Sequence, residues 1–347
     1  MDDPSFRYVH SDSFPQLLRD TSATLLITTY QAGKLIAVRA LDAKLSIPMR
    51  TFERAMGLAV DHRQLILGTR REIWHFRNAP DIGRQLDSPV AHDACFVPRV
   101  AQITGNIDVH ELTLVQGEIW FVNTRFSCLG VLDPDYSFVP RWWPDFVTEI
   151  APEDRCHLSG MAVANGVPHY VTALGETNEP EAWRRHKAHG GIVIDVSSGE
   201  IVLRQLSMPH SPRLYRGHLW LLNSGEGTLI KADPASGRHE TICRLPGYPR
   251  GLAIHGDYAF IGLSRLRESG TLSGLPIAER RMKLICGVHV VNLSTGMPVA
   301  TLEFDSGVDE IFDVQLLVGI TFPAIIGRQK DTLDGIFLVP PGPRRWH

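Results

Sequence analysis

Apolar positions in this chain come in short runs that stop at a turn and resume, with no long helical period between them. Three such units open on a histidine: His110–Gly117, His157–Gly166 and His210–Gly217. Three more lack histidine and open on Arg54, Tyr248 and Glu310. After each turn comes a second run of β-branched and aromatic residues, as in Leu65–Arg70, Ile119–Arg125, Leu219–Ser224 and Ala259–Ser264, which turns polar at its end. This alternation reads as paired strands whose ends reach solvent or a pocket. A third recurring element is the Asx-type turn of Asp195–Gly199, Asp233–Gly237 and Asn292–Gly296, with Asp133 opening a degenerate copy.

Units recurring every roughly 40–60 residues, each able to supply four strands, predict an all-β, six-bladed β-propeller. The segment Thr24–Val38 lacks a convincing inner strand before it, and the unit at Glu310 has an inner strand near the C-terminus. The two ends are therefore expected to share a blade and close the ring. Seven blades, the last made from Thr321–Pro340, is the competing count. A single domain over 1–347 is expected, with insertions near 87–106, 139–156, 175–190 and 265–285 forming a lid on one face.

In a propeller the start of each inner strand and the end of the second strand meet at one mouth. The equivalent set Arg54, His110, His157, His210, Tyr248 and Glu310 is thereby brought beside Asn123, Thr124, Asn223 and Ser224. Three neutral imidazoles converging on an axis suit one divalent transition metal (iron, zinc, manganese or copper), with positions left for water or substrate. Glu310 is placed to complete the shell or to move a proton, and Asp108 to orient the imidazole of His110. Arg125, Arg213 and Arg250 at the same mouth favour an anionic small molecule or peptide as substrate. The competing reading is a set of channel histidines bonded to water or backbone. His169, His218, His255 and His289 read as structural, and Cys128 and Cys156 as buried thiols.

Composition narrows the field further. A formal net charge of -3 without a basic stripe argues against nucleic acid. No apolar run spans a bilayer, and Met1–Arg7 has no leader pattern, which points to the cytoplasm. Five cysteines, an odd number without a Cys-x-x-Cys pair, argue against a disulfide framework or a zinc ribbon. Phosphate loops, dinucleotide fingerprints, serine elbows and His-Glu-x-x-His are all missing.

The segments Asn123–Leu129, Asp154–Leu158, Ser207–Arg213, Leu245–Leu252 and Glu310–Val314 together resemble a bacterial family of conserved hypothetical proteins, some joined to tetratricopeptide repeats. The likeness runs from Thr29–Lys34 to Glu310 and implies a propeller-like fold without implying a reaction. This chain has Ser159 where relatives often carry Asn, so no role is given to an amide there. The expectation is a mononuclear metal-dependent enzyme of the Lewis-acid lyase or hydrolase type. The alternatives are an iron- or copper-dependent oxidoreductase or oxygenase at the same three histidines, and a non-catalytic propeller that binds a partner protein. Other propeller enzymes, the carotenoid-cleaving oxygenases with iron and the oligogalacturonate lyases with manganese, supply precedent at the level of fold alone.

Overall fold

Six antiparallel sheets follow one another around a ring, and each inner strand lies against the inner strands of its two neighbours. A computed structural model describes residues 6–265, 273–280, 282–327, 331–340 and 342. Blade 1 is built from both ends of the chain: its inner strand Ile311–Val318 pairs with Ala23–Thr29, followed by Lys34–Leu41 and two short edge strands. Blade 2 runs Leu58–Val60, Gln64–Gly68, Glu72–Asn78 and Ala94–Ile103; blade 3 runs Val109–Val115, Glu118–Asn123, Cys128–Val131 and Val139–Trp142. Blade 4 runs Leu158–Ala164, Val167–Ala173, Gly191–Asp195 and Ile201–Leu206; blade 5 runs Pro209–Tyr215, His218–Asn223, Thr228–Asp233 and Arg238–Arg244. Blade 6 runs Tyr248–His255, Tyr258–Ser264, Gly287–Asn292 and Pro298–Ser306.

The shared blade predicted from sequence is present, and the ends are tied down twice more. Arg7–His10 pairs antiparallel with Pro298–Ser306, the edge of blade 6. Pro323–Ile325 adds a parallel strand beside Ala94–Phe96 in blade 2, so it extends an existing blade and does not begin a seventh. Both additions cover exposed sheet edges that would otherwise invite pairing with another chain.

The apolar core is a set of layers between blades. One layer joins Ile36 and Val38 of blade 1 to Val288, Val290 and Phe304 of blade 6, capped by Phe14 and Leu18 from the helix Ser13–Asp20. Strand Ala23–Thr29 is buried along its whole length, which explains why it reads as a continuous apolar run. The Asx turns also stand as predicted. The side chains of Asp195 and Asn292 accept backbone N–H bonds at 2.8–3.1 Å, and Gly199, Gly237 and Gly296 take the positive φ that closes the turn.

Polar stitches then lock neighbouring blades near the channel. Hydroxyls donate across the junctions from Thr28 to the carbonyl of Met56, Thr124 to Leu158, Ser159 to Pro209, Ser224 to Pro249 and Ser264 to Ile311, at 2.6–3.2 Å. One layer deeper, Glu111, Ser211 and Asp313 each accept a backbone N–H of the next blade, from Met161, Gly251 and Leu58 respectively. The residues that alternate with them around the ring are Gly57, Gly160 and Gly251. A Cβ on Gly160 would stand 2.4 Å from Pro212 and 3.0 Å from the Glu111 carboxylate, so side chain and glycine are complementary.

Two segments expected to be insertions turn out to contain regular structure. The region 87–106 includes the outer strand Ala94–Ile103 of blade 2, and 139–156 begins with the outer strand Val139–Trp142 of blade 3. Blade 2 reaches its outer strand through the short helix Pro80–Gly83, not through an Asx turn, which hid the strand from the repeat. The described residues of the segments 175–190 and 265–285 meet at the mouth, where Trp183 packs with Leu275, Ile277, Met208 and Tyr248; residues 266–272 and 281 of the second segment lie outside the described residues.

Candidate functional site

The inner strands of blades 3, 4, 5 and 6 each carry a bulge within their first few residues, and this sets which side chains enter the mouth. Val109 pairs with Asn123, Leu158 with Ala173, Pro209 with Asn223 and Pro249 with Leu263. In this register His110 and His210 are equivalent to Arg250 and Ser159, while His157 is equivalent to Asp108 and Met208. The backbone agrees: Asp108, His157 and Met208 all take left-handed φ, at 53°, 53° and 48°. The sequence-derived set thus merges two rows. One holds His110, Ser159, His210 and Arg250; the other holds Arg54, His157, Tyr248 and Glu310. They are two residues apart, and a shift of two keeps side chains on the same face of a strand. Both rows reach the same cavity.

That cavity has a volume of about 420 Å³ and is walled by the three histidines, Arg250, Glu310 and the aromatic rings of Tyr30, Trp183, Tyr248 and Phe312. The ring centroid of His110 lies 4.9 Å from that of His157 and 6.1 Å from that of His210. His110 and His210 are almost fully buried, and His157 slightly less so.

The hydrogen bonds fix the tautomer of each imidazole. Nδ1 of His110 lies 2.7 Å from Thr124 Oγ1 and 3.1 Å from the Asp108 carbonyl. Thr124 already donates its one proton to Leu158, so its oxygen accepts, and Nδ1 must carry the hydrogen. His210 repeats the arrangement, with Nδ1 2.9 Å from the Met208 carbonyl and 3.1 Å from Ser224 Oγ, whose own proton goes to Pro249. Nδ1 of His157 faces the Asp154 carboxylate at 2.8–2.9 Å, and Trp183 Nε1 donates to that carboxylate at 3.1 Å. All three rings therefore carry a hydrogen on Nδ1, and Nε2 of each makes no hydrogen bond among the described residues. Burial, then the nearby Arg250 guanidinium, hold His110 and His210 well below the ordinary imidazole range, so both stay neutral.

This donor set matches what a borderline metal requires: imidazoles with Nδ1 engaged by carbonyl, hydroxyl or carboxylate. Imidazoles bound at ~2.0–2.1 Å in tetrahedral array have ring centroids roughly 5 Å apart. His110 and His157 stand at that spacing, and His210 is wide of it. Among the described residues no group of three or more His, Cys, Asp or Glu is already gathered as a metal cluster. A shared ion would require His210 to move inward.

Several other expectations change. Asp108 orients His110 through its backbone carbonyl, not its carboxylate. Arg125 is exposed and does not line the cavity, because it falls in the turn after the second strand has ended. Arg213 lies deeper, beyond the bulge, where it is ion-paired with Glu111 and donates to the Leu252 carbonyl at 2.8 Å. Asn123 caps the turn after its strand, accepting from the backbone N–H of Phe126, and Asn223 accepts from the backbone N–H of Ser207 just ahead of the inner strand of blade 5. Arg54 stands behind the cavity wall and donates to Tyr30 Oη at 3.0 Å. Thr124 and Ser224 hold His110 and His210, Tyr248 lines the cavity, and Arg250 and Glu310 face each other at 3.8 Å.

Trp183, Phe312, Asp154, Arg184 and Arg265 were not singled out from sequence as site residues. The spacing Asp154-x-x-His157 is the one local signal that would have found a member of this group. Cys128 and Cys156 are fully buried, and burial pushes each thiol up to about 12, so neither is a ready ligand.

The fold and the mouth define a six-bladed β-propeller with a histidine-walled cavity at one end of its channel. The chain belongs to the family described as Domain of unknown function (DUF4915), whose model matches residues 12–326. Two of the solved structures that share the fold illustrate the likeness. A chain in the crystal structure of a nidogen/laminin complex is similar with a TM-score of 0.54 and 12% identity, covering 86% of this chain and 99% of that one. A protein of unknown function from Bacteroides caccae is similar with a TM-score of 0.52 and 9% identity, covering 85% of this chain and 98% of that one. No curated protein matches. Among the described residues no helix is long and apolar enough to cross a membrane.

Proposed function

We propose that the protein is a mononuclear metal-dependent enzyme working in this cavity, of the Lewis-acid lyase or hydrolase type. His110, His157 and His210 would hold the ion through Nε2. The hydrogen-bond pattern carries this reading: three separate networks each place a hydrogen on Nδ1 and leave Nε2 as the ring nitrogen without a protein partner among the described residues. A bound divalent ion would polarise a substrate carbonyl or activate a water. Glu310, at the cavity wall, is the residue positioned to accept or return a proton. Asp154 fixes the ring of His157, and Trp183 fixes Asp154. Five unpaired cysteines favour the reducing cytoplasm as its compartment.

The test is elemental analysis of protein purified without added metal, repeated on His110→Ala, His157→Ala and His210→Ala. One equivalent of zinc or manganese, lost in each variant with an unchanged circular dichroism spectrum, is the expected result. Iron or copper in the same ratio would shift the chemistry to an oxidoreductase or oxygenase. Wild-type protein without metal, even after incubation with each ion, overturns the reading and leaves a propeller that binds a partner.

A further inference from the structure

We propose that the ligand of this cavity carries a single carboxylate and that Arg250 receives it. The inference rests on the reading of the cavity as the functional site, and it replaces the arginine trio expected from sequence with one residue. Arg250 occupies the same row as His110 and His210, and its guanidinium carbon lies 3.6 Å from the centre of the Phe312 ring. Stacking fixes the plane of the fork and leaves its edges for hydrogen bonding.

Those edges are unused. The guanidinium makes no hydrogen bond among the described residues, and Nη2 is buried without a partner. Glu310, with its carboxylate 3.8 Å from Nη1, offsets the charge from beyond hydrogen-bond range and occupies no donor of the fork. A planar oxyanion that takes two parallel N–H bonds completes such a site.

The neighbouring cations narrow the ligand to one negative charge. Arg265 is paired with Asp309 at 2.6 Å and also donates to the Val308 carbonyl; Arg184 is paired with Glu181 at 2.9 Å. A phosphate dianion would call for a second uncommitted cation. The walls contributed by Tyr30, Trp183, Tyr248 and Phe312 suit a flat or apolar remainder.

Calorimetric titration of the full chain with benzoate, benzamide and inorganic phosphate tests this. Benzoate should bind, benzamide should bind about tenfold more weakly or worse, and Arg250→Gln should lose about tenfold or more in benzoate affinity. Arg250→Lys, which keeps the charge without the fork, should fall between them, and Arg125→Gln should match wild type. Equal binding of benzamide, tighter binding of phosphate, an unaffected Arg250→Gln, or no benzoate binding overturns the proposal. Metal content separates the two readings. A metal-loaded protein whose benzoate binding ignores Arg250 refutes this one alone. A metal-free protein that binds benzoate through Arg250 refutes the metalloenzyme alone.

Discussion

Thr124 belongs to the fold and to the site at once, so Thr124→Val perturbs both by removing one hydroxyl with almost no change of shape. Two bonds disappear. The Leu158 carbonyl loses its donor at 2.6 Å, and the His110 Nδ1–H loses the nearer of its two acceptors, at 2.7 Å. A buried carbonyl left unpaired costs roughly 1–3 kcal/mol, and the histidine bond a further ~1 kcal/mol because the Asp108 carbonyl still shares that proton. The expected loss is therefore about 2–4 kcal/mol. It is read as a lower urea midpoint at unchanged slope. Nitrogen NMR of the imidazole should show a smaller Nδ1–H population for His110, and metal uptake should weaken about 10–100-fold. Ser264→Ala is the matched control, because it cuts the equivalent stitch from blade 6 to Ile311 of blade 1 and touches no histidine. It should destabilise and leave the His110 tautomer alone. Thr124→Val within about 0.5 kcal/mol of wild type, or with the tautomer unmoved, refutes the hydrogen-bond reasoning.

Two further expectations concern the layer beneath the histidines. Gly160→Ala drives a methyl against Pro212 and the Glu111 carboxylate, and should cost about 1–3 kcal/mol from overpacking alone. Gly166→Ala, at a φ of 72° with open space around it, should cost only the ~1 kcal/mol of a left-handed alanine; equal losses by urea titration would refute the complementarity. Asp313, buried beside Glu111 and Arg213, has its carboxyl raised from 3.8 to about 7, first by desolvation. The native state thus holds a proton that the unfolded chain releases near 3.8, so this group's contribution is full below that pH and is lost as pH rises through about 7. Compared with Asp313→Asn, wild type should lose on the order of 4 kcal/mol across that window. His110 and His210 are depressed and act in the opposite sense, destabilising the fold as pH drops below the ordinary imidazole value; they are common to both proteins and cancel in the difference. A pH-independent difference between the two would refute the assignment.

The ring was legible because its signals are local and repeated. The Asx turns at Asp195, Asp233 and Asn292 each mark the link from a third to an outer strand, and the missing inner strand before Thr24 forced closure through the C-terminus. Depth along the channel is what an alignment on the histidines misplaced. His157 lies nine residues before its turn glycine Gly166, whereas His110 and His210 lie seven before Gly117 and Gly217, so aligning the histidines placed His157 level with His110 when its structural equivalent is Asp108. The error was harmless for convergence, since a two-residue offset preserves facing, but it was not harmless for chemistry. It obscured that Arg250 shares the row of His110 and His210, and it made Arg213, three residues past His210 and beyond the bulge, look like a neighbour of the imidazoles when it is paired with Glu111 below them. Arg125 misled for a related reason, since it follows its strand and so has no facing fixed by the pleat.

Trp183 and Arg265 were hidden differently, because they arrive on insertions that carry no period to extrapolate from. Their positions follow instead from the apolar residues around them. Trp183 is anchored by Leu275 and Ile277 from the other insertion and by Met208 and Tyr248 from blades 5 and 6. That anchoring places its indole N–H on Asp154 and its ring 4.4 Å from His157. The repeat thus builds His110 and His210 in one way, with a carbonyl and a hydroxyl supplied by the blades themselves. It builds His157 in another, with a carboxylate held in place by an insertion. A cavity assembled from equivalent blades thus holds its histidines in two different ways, and the insertion that carries Trp183 is what makes the difference.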